Sequence, residues 1–424
     1  MKQETLLQRR KRLIGDAYYF YENPFHPVRA EGVWMYDAQG RRYLDCYNNV
    51  PSVGHCNPRV VEAISTQAAK LNTHTRYLDE TILDYAEKLS ATFDDQLNSA
   101  TFTCTGTESN EIALRLARKY TGGMGIICSS FTYHGNSTAV WELATFNGEP
   151  PSSPNVKAVP FPDSYRPEFE GSDEELAEAY ANEVQKAIEA FEKEGVKFAG
   201  LLFCPIFSAE GLPDVPATYL KKAVEKVRSA GGLFICDEVQ AGFARTGGHM
   251  WGHQIHGVTP DIVTLGKPMG NGHPIGGVIT TKKLLDHFHA NVMYFNTFGG
   301  NAVSCSAGLA VLEVIEQENL MQNAASVGEY ARAELLKLQE RHEIIGDVRG
   351  HGLFMALDLV KDRGTKEPAT DETTQLVNEM YKRGVLINRV GVGDNILKMR
   401  PPLVFNKENV DQLVSTLDDV LTII

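Results

Sequence analysis

Two short apolar runs, at residues 233–236 and 262–265, constrain the fold of this chain more than any other feature. Each is four residues long and rich in β-branched residues or Phe, which is typical of buried strands in a parallel sheet. Asp237 follows the first run and Lys267 comes shortly after the second. Because ligands bind beyond the carboxyl ends of strands in open α/β sheets, we expect these two side chains to meet in one crevice.

The chemistry of Asp237 and Lys267 predicts a pyridoxal phosphate cofactor. Lys267 stands in a glycine-rich turn, which lets the backbone come close to a ligand. A buried lysine has a lowered pKa and becomes an amine nucleophile for Schiff-base chemistry. An aspartate beside a pyridine nitrogen keeps it protonated and makes the ring an electron sink. The alternative is that Asp237 caps a helix and Lys267 is solvated. That is ordinary for single charged residues but does not explain the long sequence pattern in which these two residues stand.

Length and composition narrow the class of protein. With 424 residues, 43% of them apolar, we expect two or three folding units with a large core. The lack of a long uncharged apolar run predicts no membrane span, and a charged start without a signal core predicts a cytoplasmic protein. A net charge of −13 argues against nucleic acid as a partner. Seven cysteines without zinc-type spacing predict reduced thiols and no metal.

A second candidate site is the turn at Gly106 and Thr107. It follows a predicted strand that begins near residue 99 and precedes an amphipathic helix. Free backbone N–H groups and the positive end of the helix dipole favour a phosphate there. Thr105 and Thr107 as simple helix caps are the alternative. Tyr133 follows the next predicted strand. Its ring can stack on a planar cofactor there, and the alternative is that Tyr133 is an ordinary half-buried side chain.

Strands and helices alternate from about residue 60 to 280, which predicts βαβ units. Residues 146–169 offer no recognisable element. The pattern then changes to one long helix from near residue 304 to about 343, a glycine-containing strand pair, an edge strand that starts at residue 396, and a final helix. We expect an N-terminal segment over 1–58 that forms part of a small domain. A large cofactor domain over 59–305 and a small α+β domain over 306–424 follow.

The stretch around Asp237 and Lys267 resembles the signature of the class III pyridoxal-phosphate aminotransferases. It consists of two apolar residues and x-Asp-Glu-Val-x-x-Gly, then a spacer, then Asp-Ile-Val-x-x-Gly-Lys. The resemblance extends over nearly the whole chain. It implies a fold-type I enzyme of α/β class, with a mixed, mostly parallel seven-stranded sheet flanked by helices and a small α+β domain built from both termini. It also implies a homodimer with shared active sites, and leaves open whether two dimers pair into a tetramer.

The resemblance assigns roles to individual residues. It makes Lys267 the Schiff-base lysine and Asp237 the partner of the pyridine nitrogen. The other implied cofactor contacts are Gly106 and Thr107 at the phosphate, Tyr133 and His134 as a ring-stacking pair, Val239 on the ring, Gln240 near the phenolic oxygen, and Thr297, which reaches the phosphate of the neighbouring subunit.

The motifs around residues 47–58, 71–78 and 266–274 look most like the subgroup of ethanolamine-phosphate and phosphohydroxylysine phospho-lyases, with relatives that deaminate hydroxylated aminoethylphosphonate. Two departures point the same way: Lys398 stands where many transaminases have an arginine, and Pro205 where many have a glutamate. A lysine point charge and an arginine fork suit phosphate or phosphonate. The candidate substrate-binding residues are Arg76, Lys398, Arg400, Tyr47 and Asn49, with salt-bridged surface residues as the alternative for the cations.

The expected reaction is a lyase reaction on a small amine. The substrate amine displaces Lys267, whose freed amine takes a proton from the aminated carbon, and phosphate or hydroxide leaves from the β-carbon. Hydrolysis then gives an aldehyde and ammonia. The alternative is an ω-amine or amino-acid:keto-acid transaminase. A nicotinamide dehydrogenase would need a Gly-x-Gly-x-x-Gly turn after its first strand, which is absent. A non-catalytic scaffold would have lost Lys267 or Asp237.

Overall fold

The computed structural model describes residues 4–16 and 18–424, and its elements alternate between strands and helices. The helices are α1 (Leu6–Ile14), α2 (Pro58–Lys70), α3 (Glu80–Ser90), α4 (Gly106–Thr121), α5 (Thr138–Trp141), α6 (Asp173–Lys193), α7 (Tyr219–Ser229), α8 (Lys282–Asn291), α9 (Ala302–Gln317), α10 (Leu320–Arg341), α11 (Thr370–Lys382) and α12 (Lys407–Leu421). Two 3₁₀ turns, Gly252–His256 and Lys267–Gly270, lie on either side of one strand.

The strands of the described residues form three sheets. They are β1 (Pro27–Glu31), β2 (Trp34–Asp37), β3 (Arg42–Asp45), β4 (Ser99–Thr103), β5 (Gly125–Ser129), β6 (Val156–Val159), β7 (Phe198–Phe203), β8 (Leu233–Asp237), β9 (Ile262–Leu265), β10 (Gly276–Thr280), β11 (Ile345–His351), β12 (Phe354–Asp362), β13 (Glu367–Pro368), β14 (Val385–Leu386), β15 (Asn388–Val390) and β16 (Ile396–Met399).

The large sheet has seven strands in the order β4-β10-β9-β8-β7-β5-β6. The neighbours from β9 to β6 run parallel, while β10 is antiparallel to both β9 and β4. The predicted mixed, mostly parallel sheet is therefore confirmed. Because β8 and β9 are parallel neighbours, with Asp237 paired to Thr264, the ends that carry Asp237 and Lys267 lie at the same edge.

The long apolar runs of β7 and β8 are explained by helices on both faces of the sheet. Leu201 and Phe203 pack on the side of α6 and α7, and Leu202, between them, packs on the side of α4 and α8. Successive side chains of a strand point to opposite faces, so a strand covered on both faces needs apolar residues throughout. This rigid layer holds the strand ends in place.

The remaining sheets combine distant parts of the chain. The N-terminal strands β1 to β3 continue into β14, since Leu44 pairs parallel with Val385. The third sheet has the order β11-β12-β16-β15, with β13 beside β12. The prediction that the strand starting at Ile396 is an edge strand is wrong, because it pairs with both β12 and β15. The domain boundaries at 58/59 and 305/306 stay a prediction.

Two other expectations need correction. The single long helix predicted from near residue 304 to 343 is two helices, α9 and α10, separated at Asn319, whose φ of 52° is left-handed and cannot continue a helix. The proline-rich segment without a recognised motif contains β6, the outer strand of the large sheet. Within the described ranges, every helix is too short or too polar to cross a lipid bilayer.

Candidate active site

A cavity of about 200 Å³ opens at the carboxyl edge of the large sheet. It brings together most of the predicted cofactor contacts. These are Gly106, Thr107, Tyr133, His134, Asp237, Val239, Gln240 and Lys267.

Lys267 enters the cavity from a strained turn. Its φ is 38°, in the left-handed region, which costs a non-glycine residue about 1–2 kcal/mol. Such strain persists where the surrounding structure enforces it, often at functional sites. Here the side chain of Asn271 fixes the turn by donating to the Gly54 carbonyl oxygen at 2.8 Å and accepting from the Val53 N–H at 2.9 Å. The turn therefore aims Lys267 and is tied to the loop that contains Tyr47.

The environment of Lys267 makes its amine reactive. Burial and, after it, the positive charge of Arg400 lower its pKa to about 8, although Asp237 acts in the opposite direction. A lysine with such a pKa has a substantial neutral fraction near neutral pH, so it serves as a nucleophile and as a base. The lowered pKa of Lys267 fits its predicted role as the Schiff-base amine.

Asp237 is held as an ionised acceptor. Its Oδ2 atom accepts from His134 Nδ1 at 2.6 Å and from the Asn110 side-chain amide at 3.0 Å, while Oδ1 accepts from the Val239 N–H at 3.0 Å. Burial by itself would raise the pKa of Asp237, but the hydrogen bond and charge of His134 keep this pKa below its ordinary value. A buried carboxylate in this state suits a cationic ring N–H.

Asn110 was not foreseen from the sequence. It is fully buried on α4, donates to Asp237 and to the His134 carbonyl oxygen, and accepts from the Thr264 hydroxyl at 2.7 Å. The available signal was its spacing: Asn110 stands three and four residues before Ala113 and Leu114, on the apolar face of α4, where an asparagine needs polar partners.

The N-terminus of α4 forms an anion cradle. Thr105 is its N-cap and accepts from the Glu108 N–H at 3.1 Å, which leaves other first-turn N–H groups free to bind a ligand. A Cβ on Gly106 would lie 3.0 Å from Val239, and one on Gly135 would lie 2.6 Å from the Thr107 hydroxyl oxygen. Both glycines therefore keep the cradle open. Cradle, amine and carboxylate together fit a flat pyridine aldehyde with a phosphate arm.

Tyr133 and His134 occupy different positions in the cavity. Tyr133 is 40% exposed and packs edge-on against Trp141 and Phe146, so its ring is available at the mouth. His134 is buried, and its imidazole is taken up by hydrogen bonds to Asp237 and Thr132. The structure thus gives His134 a hydrogen-bonding position behind the carboxylate, in addition to a place in the cavity wall.

Two buried cations, Lys398 and Arg400, follow one another along β16 and its end. The Lys398 ammonium donates to the Ser208 carbonyl oxygen at 2.6 Å, and Arg400 donates to the Tyr47 carbonyl oxygen at 2.7 Å and to the Gln240 side chain. Burial, Arg400 and Lys267 lower the pKa of Lys398 well below its usual value. Neither cation forms an ion pair with a carboxylate anywhere in the described ranges.

The loop after β3 contacts Arg400. The Arg400 guanidinium lies 4.5 Å from the centre of the Tyr47 ring, and the Asn49 side-chain amide points to the Gln240 carbonyl oxygen at 3.5 Å. Tyr47 and Asn49 therefore lie close to Arg400 and Gln240. Of these four residues only Gln240 lines the cavity, and the substrate-binding role of Tyr47, Asn49 and Arg400 stays a prediction.

Arg76 and Thr297 do not line the cavity of their own chain. Both are exposed, and the Arg76 guanidinium stacks 3.5 Å from the centre of the Phe295 ring, two residues before Thr297. The role of Arg76 as a substrate-binding residue stays a prediction.

The side chain that β7 delivers to the cavity is Cys204. It directly follows the strand and lines the cavity, whereas Pro205 lies in the wall of a separate depression. Cys128 and Cys236 are buried on strands, as predicted. All seven cysteines are free in the part of the chain that the structure describes; Cys46 and Cys305 are also buried, and Cys56 is exposed.

Cys236, Glu238 and His253 form a buried group behind the cavity. Glu238 Oε1 accepts from the His253 N–H and lies 2.8 Å from His253 Nδ1, and Oε2 accepts from the Gly252 N–H at 2.8 Å. Its oxygens are thus occupied by hydrogen bonds, so the group fastens the turn after β8 to the 3₁₀ turn at Gly252–His256.

Comparison with known proteins agrees with this geometry. The model of the aminotransferase class-III family matches residues 20–421. The chain belongs to the class III aminotransferases. Enzymes of this family act on small amines with pyridoxal 5′-phosphate as cofactor, and Lys267, Asp237 and the cradle at Gly106 are the residues of this chain that would hold it.

Three relatives of this class III enzyme show the range of activities around it. A phospholyase from Arthrobacter in complex with phosphoethanolamine has a TM-score of 0.95 and 46% identity, over 99% of this chain and 100% of that one. The ethanolamine-phosphate phospho-lyase homolog 1 of Caenorhabditis elegans is 39% identical over 99% of this chain and 94% of its own length. The alanine–glyoxylate aminotransferase 2 homolog 2, mitochondrial, of Arabidopsis thaliana is 41% identical over 98% and 87%.

Proposed function

We propose that this class III enzyme is a lyase that eliminates the β-substituent, phosphate or hydroxide, from a small amine bearing a phosphate or phosphonate group, and releases ammonia and an aldehyde. The observation that carries the proposal is the pair Lys398 and Arg400, two buried cations near Lys267 that form no ion pair with a carboxylate of the described residues.

The physical argument concerns the cost of burying charge. A buried cation without a counter-ion costs several kcal/mol, so two of them near a third amine are tolerated best where a multiply charged anion binds. A phosphate monoester supplies close to two negative charges and several acceptor oxygens at neutral pH. The phospholyase with phosphoethanolamine bound and the phospho-lyase homolog support the same substrate class.

Each residue then has a defined task. The Lys267 amine, free once the substrate nitrogen has replaced it, takes the proton from the carbon that bears that nitrogen. When bound, the cofactor's pyridinium ring accepts the electron pair left on that carbon. Asp237 stays ionised beside the ring nitrogen, because His134 and Asn110 donate to it. Lys398 and Arg400 stabilise the negative charge that grows on the leaving group.

We extend the proposal to a homodimer with shared active sites. Arg76 and Thr297 lie in segments whose apolar side chains are unusually exposed: Leu78 is 99%, Met293 94% and Phe298 69% exposed. Exposed apolar side chains grouped in this way are typical of a protein interface. In such a dimer Arg76 and Thr297 serve the cavity of the neighbouring subunit, and a mass measurement in solution tests the assembly.

A transaminase is the second candidate, since a relative with 41% identity is named as an aminotransferase. A transaminase alternates between an amino donor and a keto acceptor. It therefore gains from a cation that an adjacent glutamate can neutralise. Cys204, and not a glutamate, stands at the end of β7 where such a residue would face the cavity, which favours the lyase.

A substrate panel tests the proposed function. We expect phosphoethanolamine to exceed ethanolamine in kcat/KM by at least about 100-fold, because charge-assisted hydrogen bonds contribute about 1.5–3 kcal/mol each and 1.4 kcal/mol is a factor of ten. Hydroxylated aminoethylphosphonate belongs in the same panel, as do phosphate-free amines with pyruvate. A preference for phosphate-free amines that requires pyruvate would favour the transaminase instead.

A further inference from the structure

Asp45 is a buried carboxylate at the end of β3 that the reaction described above does not use. It is 1% exposed. Its Oδ1 atom accepts from the Tyr47 N–H at 3.1 Å and from the Asn48 N–H at 2.9 Å. Its Oδ2 atom lies 2.7 Å from His55 Nε2. Both oxygens therefore have partners, and the carboxylate holds the turn that begins the loop after β3.

The carbonyl oxygens of the same two peptide groups accept hydrogen bonds from Arg400. In the peptide between Cys46 and Tyr47, the N–H donates to Asp45. Its carbonyl oxygen accepts from the backbone N–H of Arg400 at 2.8 Å. In the peptide between Tyr47 and Asn48, the N–H also donates to Asp45, and the carbonyl oxygen accepts from Arg400 Nε at 2.7 Å. Two peptide groups thus stand between one carboxylate and one arginine.

Peptide groups in this arrangement connect the two charges. A carboxylate that accepts from a peptide N–H polarises that peptide, so the carbonyl oxygen on its other side becomes a stronger acceptor. Hydrogen bonds with a charged donor or acceptor are roughly twice as strong as neutral ones. Here the polarised carbonyl oxygen between Tyr47 and Asn48 faces the guanidinium group. Asp45 therefore stabilises the position of Arg400 although the two side chains form no ion pair.

The hydrogen bonds of Arg400 fix the plane of its guanidinium group. Nε donates to the Tyr47 carbonyl oxygen and Nη1 donates to the Gln240 side chain. Because a guanidinium group is a rigid planar fork, two fixed donors also fix the direction of the third nitrogen. Within the described ranges Nη2 makes no hydrogen bond, so it is left for a substrate oxygen. A direct ion pair with a carboxylate would have taken up these donors.

We propose that Asp45 is a positioning residue that acts through the two peptide groups to hold Arg400 in the orientation that binds the phosphate or phosphonate of the substrate. The carboxylate stays one peptide group away from the guanidinium, so Arg400 is oriented without being neutralised by direct contact. This inference rests on the proposed function, because it takes Arg400 as a substrate-binding residue.

Titration of the holoenzyme with phosphoethanolamine and with ethanolamine, followed by the visible absorbance of the bound cofactor, tests this role. In Asp45→Asn we expect the affinity for phosphoethanolamine to fall by about 10-fold, since charge-assisted hydrogen bonds become neutral ones, and the affinity for ethanolamine to change by less than about 2-fold. The direction of the change is informative. If Asp45 acted only through its negative charge, removal of that charge would strengthen the binding of a phosphate.

A double-variant cycle tests the connection between Asp45 and Arg400. Arg400→Gln alone should weaken the binding of phosphoethanolamine more than Asp45→Asn does. Combining the two should add nothing to Arg400→Gln, because Asp45 acts through Arg400. Asp418→Asn is the matched control and should leave both affinities unchanged. Asp418 also contacts a histidine, with Oδ1 2.6 Å from His342 Nε2, but it lies on α12 and does not line the cavity.

Thermal melting and cofactor content show whether each variant folds. Asp45→Ser keeps an uncharged acceptor for the same turn, so it carries the test if Asp45→Asn does not fold. If Arg400→Gln left the affinity for phosphoethanolamine unchanged, the proposed substrate-binding role of Arg400 would fail. If Arg400→Gln weakened binding and Asp45→Asn did not, or if Asp45→Asn weakened both amines equally, or if the two effects simply added, the role of Asp45 alone would be overturned.

Discussion

Lys267→Ala should lower turnover by about 10⁴-fold or more while the protein stays folded, because one amine serves as nucleophile and as base. Loss of a positioned general base alone typically costs ~10²- to 10⁴-fold. The covalent attachment of the cofactor is lost as well. Alanine keeps the strained φ of 38° at residue 267 but removes a buried cationic group, so we expect a melting temperature equal to or slightly above that of the parent.

Lys267→Arg is the matched control, because it keeps a cation and removes the nucleophile. It should be as inactive as the alanine variant. Borohydride reduction followed by peptide mapping should place the cofactor on residue 267 in the parent and nowhere in either variant. The informative competitor is Lys398, the neighbouring buried amine with a lowered pKa. Cofactor attached to Lys398 in the parent protein would contradict the assignment.

Lys398→Met should raise the KM for a phosphate-bearing amine by about 10- to 100-fold, the worth of one charge-assisted hydrogen bond. Methionine approximates the shape of the buried side chain and removes the charge, so packing around β16 changes little. The pH dependence of KM should also differ between the parent and Lys398→Met, because the low pKa of Lys398 in the parent rises when an anion binds beside it.

The specificity of that effect needs two comparisons. Lys407→Met removes a cation that lies over Tyr330, away from the cavity, and should change nothing in the kinetics. A phosphate-free amine should lose no more than a few-fold in kcat/KM with Lys398→Met. Equal losses for amines with and without phosphate would show that Lys398 supports the fold or the cofactor rather than the substrate anion.

The sequence predicted the parts of the site that follow from strand ends. Asp237 comes directly after one apolar run and Lys267 two residues after another. Burial on both faces requires continuous apolar residues in such runs, so the position in the sheet and the function could be inferred together. The Gly106 turn could be placed for the same reason, because it joins a strand to a helix N-terminus.

The rest of the site depends on which elements become neighbours. Asn110 meets His134 and Asp237 only because α4 packs across β5 and β8, the strands before those two residues, and the sequence does not state that arrangement. The strand at Ile396 looked like an edge because its partners are distant in sequence. The sequence could not predict the position of Arg76, because that position depends on stacking against Phe295, which is distant in the sequence.

The central claim is that elimination completes the reaction without a keto acid, and phosphorus NMR with an ammonia assay measures this directly. With phosphoethanolamine and purified holoenzyme, and no keto acid present, we predict that inorganic phosphate and ammonia appear in equal amounts through many turnovers. If the reaction instead stopped after one equivalent per subunit, with the phosphate still present as its ester, the result would contradict the account and identify a transaminase.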